Sequence, residues 1–420
     1  MVWDSAVSLV GLVGFMVLAW LFSVDRKRVN WRVVLWGVAL QFLFAAFIFL
    51  VPAGSRFFLA VNDLVVGVLD CAARGSEFAF GALALGPGKK DSLGFILAFQ
   101  ALPTIIFFSA LISLLYYCRI MPLVVRFFAR IFTTLMKISG AEALVTASNI
   151  FVGVESAFTV KPFIKNMTKS ELCTMLTAGM ATVGSNVLAL YVFSLQSVFP
   201  TIAGHLVTAS ILSAPAAIVM AKLIWPESEV PETLGRDVRP HYVKPDNFFL
   251  AIIDGSQEGL KVIFGIIALL IAVLGLTALV DMVLGAFAPG LSLKAILGYV
   301  AYPLTYMLGV TPTDVPRVAV LIGEKLVLTE VVAYLDLARM IGDNVLKSPR
   351  SAVIATYALC GFTHLASMAI FVGGISALAP EKTKEISQVA FRALFAATLA
   401  CLMTGSVAGV FYSGESLLGF

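Results

Sequence analysis

Two glutamates, Glu155 and Glu330, lie inside hydrophobic segments of a 420-residue chain that is 60% hydrophobic and only 13% charged. Each sits in a short stretch interrupted by Gly or Pro, and each stretch precedes a long, almost uncharged helix candidate. A carboxylate at membrane depth costs about 2.5–3.5 kcal/mol even on the gentler insertion scales. It therefore tends to line a protein interior or a water-filled cavity. There it can accept hydrogen bonds from a polar ligand, carry a coupled proton once burial favours its neutral form, or pair with an internal cation such as Lys325. Asn149, Thr182 and Ser185 add hard oxygens of the kind a sodium ion takes. The same groups in plain helices would bond back to backbone carbonyls or join neighbouring helices. His364 falls near the middle of an uncharged run, three residues before Ser367 and on the same helical face. Asp314, Arg317, Glu324 and Lys161 read as structural or gating residues.

The elements that must hold these groups are membrane spans. The charged fraction is about half that of soluble domains. The runs Ser5–Val24, Val33–Val51, Ser92–Cys118, Val262–Val280 and Ala393–Tyr412 approach or exceed the ~20 residues needed to cross a bilayer core. The first run follows Asp4 and lacks a basic leader and a clear cleavage site, so it reads as a retained span. The basic cluster from Arg26 to Arg32 is expected in the cytoplasm, with the N-terminus outside. The net charge of +4 is dispersed, which argues against nucleic acid as a partner. Residues 54–91, including Gly86-Pro87-Gly88-Lys89-Lys90, fit an interfacial helix and loop. Residues 119–139 fit a basic amphipathic helix. Gly-x-Ser-x-Gly elbows, phosphate loops and zinc signatures are missing, so an enzyme is not expected.

Residues 141–164 and 310–340 are apolar overall yet too polar to face lipid, and both fit re-entrant helical hairpins. The first is expected to turn near Gly153. Each hairpin leads into an uncharged run, 172–221 and 351–380, with polar groups at its centre. An offset of 181 sets Thr182 on Thr363 and Asn186 on Ser367. The shared order predicts inverted repeats that meet at the midplane. The expected division is an N-terminal scaffold over 1–139, a first transport repeat over 140–225, a hydrophilic loop and scaffold helix over 226–309, and a second transport repeat over 310–420.

At these residues the chain resembles the concentrative nucleoside transporters. Ser139-Gly140-Ala141-Glu142, Asn149-Ile150-Phe151-Val152-Gly153, Thr168-Lys169-Ser170-Glu171-Leu172, Leu212-Ser213-Ala214-Pro215-Ala216, Thr329-Glu330-Val331-Val332-Ala333-Tyr334 and Ile354–Phe362 are close to family wording. The resemblance implies an all-α polytopic membrane protein with eight spanning helices and two re-entrant hairpins, a homotrimer, and a transport domain that moves like an elevator on a trimerisation scaffold. It implies nucleoside import driven by sodium, or by protons in some members, in the bacterial inner membrane. The sodium positions it carries over are Asn149, Val152, Thr182 and Val183. The substrate set is Glu155, Ser156, Val187, Thr329, Glu330, His364 and Ser367, with Glu330, His364 and Ser367 on the sugar and Glu155 toward the base or a second polar group. The chain departs from the family where Gly153-Val154-Glu155-Ser156 lacks the base-reading glutamine, where Thr329 precedes Glu330 in place of asparagine, and where His364 replaces an asparagine. These changes keep open a proton-coupled carrier of a nucleobase or nucleoside-like compound. A receptor or scaffold that transports nothing is the remote alternative. No cofactor other than the coupling ion is expected.

Overall fold

The computed structural model describes residues 2–86, 89–242, 244–288, 290–412 and 414, and leaves out the side chains of Val2, Val154 and Asn186. Pro87 and Gly88 of the expected interfacial loop lie outside the described residues, as does the Asn186 side chain matched above to Ser367. The described chain is helical, with one isolated bridge between Ser139 and Leu234. In order the helices are α1 (Val2–Leu21), α2 (Trp31–Leu50), α3 (Pro52–Phe80), α4 (Leu97–Gln100), α5 (Thr104–Tyr117) and α6 (Ile120–Met136). Then follow α7 (Gly140–Asn149), α8 (Lys161–Ile164), α9 (Lys169–Ala181), α10 (Ser185–Leu195) and α11 (Ile202–Ile224). The second half holds α12 (Phe248–Phe287), α13 (Leu293–Met307), α14 (Val315–Val327), α15 (Glu330–Gly342), α16 (Pro349–Leu359), α17 (Leu365–Leu378) and α18 (Thr383–Phe411).

Among the described residues, six continuous helical stretches are long and apolar enough to cross a membrane: α1, α2, α4–α5, α11, α12 and α18 with the turn before it. The interrupted pairs α9–α10 and α16–α17 bring the spans to eight. Burial sorts them. The best apolar window of α11 is 89% buried and that of α18 72%, whereas that of α12 is only 11% buried. From Phe264 to Val280 the outward residues of α12 are apolar, so this part of the helix is built to meet lipid or another apolar surface. α12 still holds α5 closely. A Cβ on Gly255 or Gly259 would run into the backbone of Ala110 and Ile106, so two glycines four apart let the helix backbones touch.

The order α5–α11 recurs as α12–α18: a first helix, a second helix, a hairpin, a broken helix and a long helix. The first hairpin turns over Ile150–Gly153, as Gly153 led us to expect, but it returns as a 3-10 segment (Val154–Val160) before α8. Its α7 is started by a capping box between Ser139 and Glu142, and α9 by one between Thr168 and Glu171.

The two breaks differ in length. Thr182, Val183 and Gly184 separate α9 from α10, while Cys360 to His364 separate α16 from α17. A single offset of 181 therefore does not hold through both, because helix ends slide independently once the hydrogen-bond ladder is interrupted. The breaks meet in space. Gly361 has φ +125°, open to glycine, and a Cβ there would stand 2.7 Å from Ala181 O and from Cys401 Sγ.

Candidate substrate and cation site

Four helix ends converge on a cavity of about 570 Å³, lined by the tips of both hairpins, both broken helices and one face of α12. Its size falls in the range of small-molecule sites. Gly153, Glu155, Thr329 and Glu330 come from the hairpins, and Thr182, Gly184, Val187, Phe362, His364 and Ser367 from the broken helices. Val262, Ile266, Leu269 and Leu270 give α12 an apolar wall. Ser156 does not line it: the side chain is buried and its hydroxyl donates to Asn149 Oδ1 at 2.9 Å. Every other member of the expected substrate set does.

Glu330 is the first residue of α15, whose N-cap is Thr329, so the carboxylate sits at the positive end of its own helix. Tyr191 OH donates to Glu330 Oε1 at 2.8 Å. Tyr191 is stacked on Tyr334 at 4.5 Å between centroids, and Tyr334 OH donates to Thr356 O at 2.8 Å. Lys325 is not the partner of Glu330: its ammonium donates to Ala358 O at 3.0 Å. The ion pair that sequence proximity allowed is absent because Lys325 and Glu330 sit on different limbs of the hairpin.

The second partner is His364, whose Nε2 lies 3.1 Å from Glu330 Oε2. His364 is the N-cap of α17. Its Nδ1 accepts the Ser367 N–H at 3.1 Å, and Ser367 Oγ accepts the His364 N–H at 3.2 Å. An Nδ1 that accepts fixes the other nitrogen as the N–H of a neutral ring. Neither Nε2 nor Oε2 has a hydrogen-bond partner among the described residues. A buried donor and a buried acceptor thus stand side by side, each with capacity for a ligand.

The expected sodium positions meet at one junction. Ser185 N donates to Phe151 O at 3.1 Å, which ties the hairpin turn, with Val152, to the break holding Thr182 and Val183. Asn149 ends α7 beside that turn, its amide N–H₂ bound to Val145 O at 3.0 Å. Thr182 Oγ1 donates to Ala178 O at 2.9 Å, the back-bond expected of a threonine in a plain helix, which leaves its oxygen free to accept. Among the described residues no group of three or more His, Cys, Asp or Glu forms a metal cluster, so a cation here would take neutral oxygens.

Glu155 borders a second cavity of about 430 Å³, between the first hairpin, α5 and α12. Tyr116, Tyr242, His241, Lys161, Asp254 and Glu258 line it. Asp314 is structural, accepting the N–H groups of Lys347 and Ser348 at 3.0 Å, and Glu324 pairs with Lys294. Sequence reasoning missed Tyr191 and Tyr334. Both lie in apolar runs, where only the long-range partner reveals their hydroxyls.

Interrupted helices around a shared cavity that holds a few polar groups are the architecture of a secondary transporter of the membrane. The chain belongs to the family of sodium-dependent nucleoside transporters. Residues 10–83 match the family's "Na+ dependent nucleoside transporter N-terminus", 98–198 its "Nucleoside recognition" gate, and 205–409 the "Na+ dependent nucleoside transporter C-terminus". It is 38% identical to solute carrier family 28 member 3 of Rattus norvegicus over 96% of its own length, and spans about 58% of that longer protein. It is 34% identical to the nucleoside permease NupC of Helicobacter pylori, covering 98% of this chain and 99% of that one. Among solved structures, CNTnw in an inward-facing substrate-bound state superposes with a TM-score of 0.90 at 32% identity, covering 97% of this chain and 98% of that one.

Proposed function

We propose that this chain imports nucleosides across the bacterial inner membrane by symport with sodium, as a homotrimer whose transport domain moves on its scaffold. The observation that carries the reading is the couple of Glu330 Oε2 and His364 Nε2, 3.1 Å apart and without hydrogen-bond partners among the described residues, facing a cavity of nucleoside size. A ribose hydroxyl donates and accepts at once, so one hydroxyl satisfies both atoms. The apolar walls from Val187, Phe371 and α12 suit the faces of a base. Glu155 offers an acceptor to its N–H groups, in place of the amide that the family's glutamine presents.

Sodium at Asn149, Val152, Thr182 and Val183 would fix the turn of the first hairpin against the α9–α10 break. Because Asn149 Oδ1 also holds Ser156, next to Glu155, ion binding and the base end of the cavity share one side chain. That is a direct route for coupling. The test is flux into proteoliposomes under an inward sodium gradient. Uptake of uridine or adenosine is expected, and its absence beside an active control removes the nucleoside reading.

Proton coupling is the second reading, and the site restricts it. An imidazolium at His364 would set an N–H against the N–H of Ser367 and break the cap, so the proton carriers under this reading are Glu155 and Glu330. Uptake driven by a pH gradient in sodium-free buffer, abolished by Glu155→Gln, would favour it.

A further inference from the structure

The second cavity, of about 430 Å³, has no part in the central site, yet the two share Gly153 and Glu155. The tip of the first hairpin is therefore a common wall. The second cavity lies toward the basic face of the protein. Val24 N donates to Ile224 O at 2.9 Å and Arg28 Nη1 to Ser228 O at 3.4 Å, which sets the end of α11 and the loop after it beside the basic cluster at 26–32. That loop runs on past α6, where Asp237 meets Arg126 and Arg130, and its His241 N donates to Thr159 O of the first hairpin at 2.8 Å. The positive-inside rule puts this face in the cytoplasm.

The lining suits a planar base that carries hydroxyls. Tyr116 and Tyr242 pair with ring centroids 5.4 Å apart, and the exposed ring of Phe158 borders the same cavity. Aromatic side chains of this kind are what nucleobases stack on. Tyr242 OH and Ser109 Oγ are buried atoms with no hydrogen-bond partner among the described residues, and both residues line the cavity. Buried polar atoms are rarely left unpaired unless something else comes to meet them. Asp254 and Glu258 stand one turn apart on α12. Glu258 meets Lys261 at 2.6 Å, whereas Asp254 makes no ion pair among the described residues. With Glu155 on the shared wall, the lining holds three carboxylates against one lysine, Lys161. Such a lining accepts hydroxyl and amino hydrogens and repels a phosphate.

We propose that this cavity is a second nucleoside subsite on the cytoplasmic side of the first hairpin. The base lies against Tyr116, Phe158 and Tyr242, and the ligand's hydroxyls reach Asp254 and the free hydroxyls of Tyr242 and Ser109. Glu155 serves both sites, so a molecule leaving the central cavity meets the second one across the same carboxylate. The inference rests on the nucleoside reading above. It adds a ligand class: an uncharged nucleoside is held here, and its phosphate ester is refused.

The test uses the full-length protein with sodium present and labelled uridine and adenosine as probes. Equilibrium binding is expected to show two molecules per chain, the second held at least tenfold more weakly. Glu330→Gln should weaken the tighter class alone, whereas Tyr242→Ala and Asp254→Asn should remove the weaker one. Ultraviolet cross-linking of the wild-type chain with 5-iodouridine decides the matter without any variant. Label is expected on Tyr116, Phe158 or Tyr242 as well as in the central cavity, and excess uridine 5′-monophosphate should not displace it. Saturation at one molecule per chain, or label confined to the central cavity, overturns the proposal. Displacement by the monophosphate overturns it as well, because the lining would then not refuse a phosphate. If neither uridine nor adenosine binds at all, the nucleoside reading fails and this inference with it, a result distinct from binding at one site.

Discussion

His364 Nε2 stands 3.1 Å from Glu330 Oε2, yet neither atom completes a hydrogen bond. The two residues belong to different elements, the cap of α17 and the first turn of α15, and both helix starts aim at the same cavity. The arrangement leaves a donor and an acceptor for a hydroxyl ligand.

Glu330→Gln keeps the shape of the side chain and removes its charge. Hydrogen bonds to charged groups are worth about 1.5–3 kcal/mol, so apparent affinity for uridine is expected to fall by about 10- to 150-fold. Uptake kinetics read this directly, and an unchanged KM would refute a role for Glu330 in substrate binding.

Tyr191→Phe deletes the hydroxyl that holds Glu330 Oε1 but leaves the ring stacked on Tyr334. The loss is expected to be smaller than for Glu330→Gln and confined to substrate affinity, with the protein folded normally. Thermal shift by uridine should weaken while the melting temperature without ligand stays within a few degrees.

His364→Asn separates two duties of the histidine. Asparagine is a good N-cap, so α17 should keep its start, but its side chain is too short to stand where Nε2 does. Substrate affinity should change with stability preserved. His364→Ala loses the cap as well, at a cost of about 1 kcal/mol, visible as a lower melting temperature than that of His364→Asn.

Asn149→Ala removes the oxygen shared by the proposed cation and Ser156. The sodium concentration for half-maximal uptake is expected to rise at least tenfold. Raising sodium should restore much of the rate. A variant whose sodium dependence matches wild type would remove Asn149 from the cation site.

Arg126 and Arg130 on α6 clamp Asp237 of the loop between α11 and α12, at 2.6 and 3.0 Å. The Arg126 hydrogen bond, reinforced by Arg130, holds the Asp237 carboxyl below its ordinary range. A depressed carboxylate stabilises the fold above its unfolded pKa, and that contribution is lost as pH falls through the folded value. Docking of the loop should therefore be full at neutral pH and weaken in acid below the usual aspartate range. Hydrogen exchange at residues 233–241 should rise in acid, and Asp237→Asn should show the same exchange at neutral pH.

The sequence by itself determined the class of molecule. Uncharged runs of spanning length cannot be soluble strands or loops, and Glu155 and Glu330 within interrupted apolar stretches demand a lined cavity because a carboxylate facing lipid is too costly. The hairpin turn at Gly153 followed from local chemistry, as did the placing of the hairpins, which rests on hydropathy order. The partners were decided only in three dimensions. Glu330 had a lysine five residues away, but the packing of α10 against α15 and the cap of α17 gave it Tyr191 and His364 instead, and Lys325 turns to the end of α16. The unequal breaks, three residues against five, were equally hidden. Hydropathy records which segments avoid water. It does not record where a backbone ladder stops or which buried polar groups meet across more than a hundred residues, and those choices are made by side-chain packing once the helices assemble.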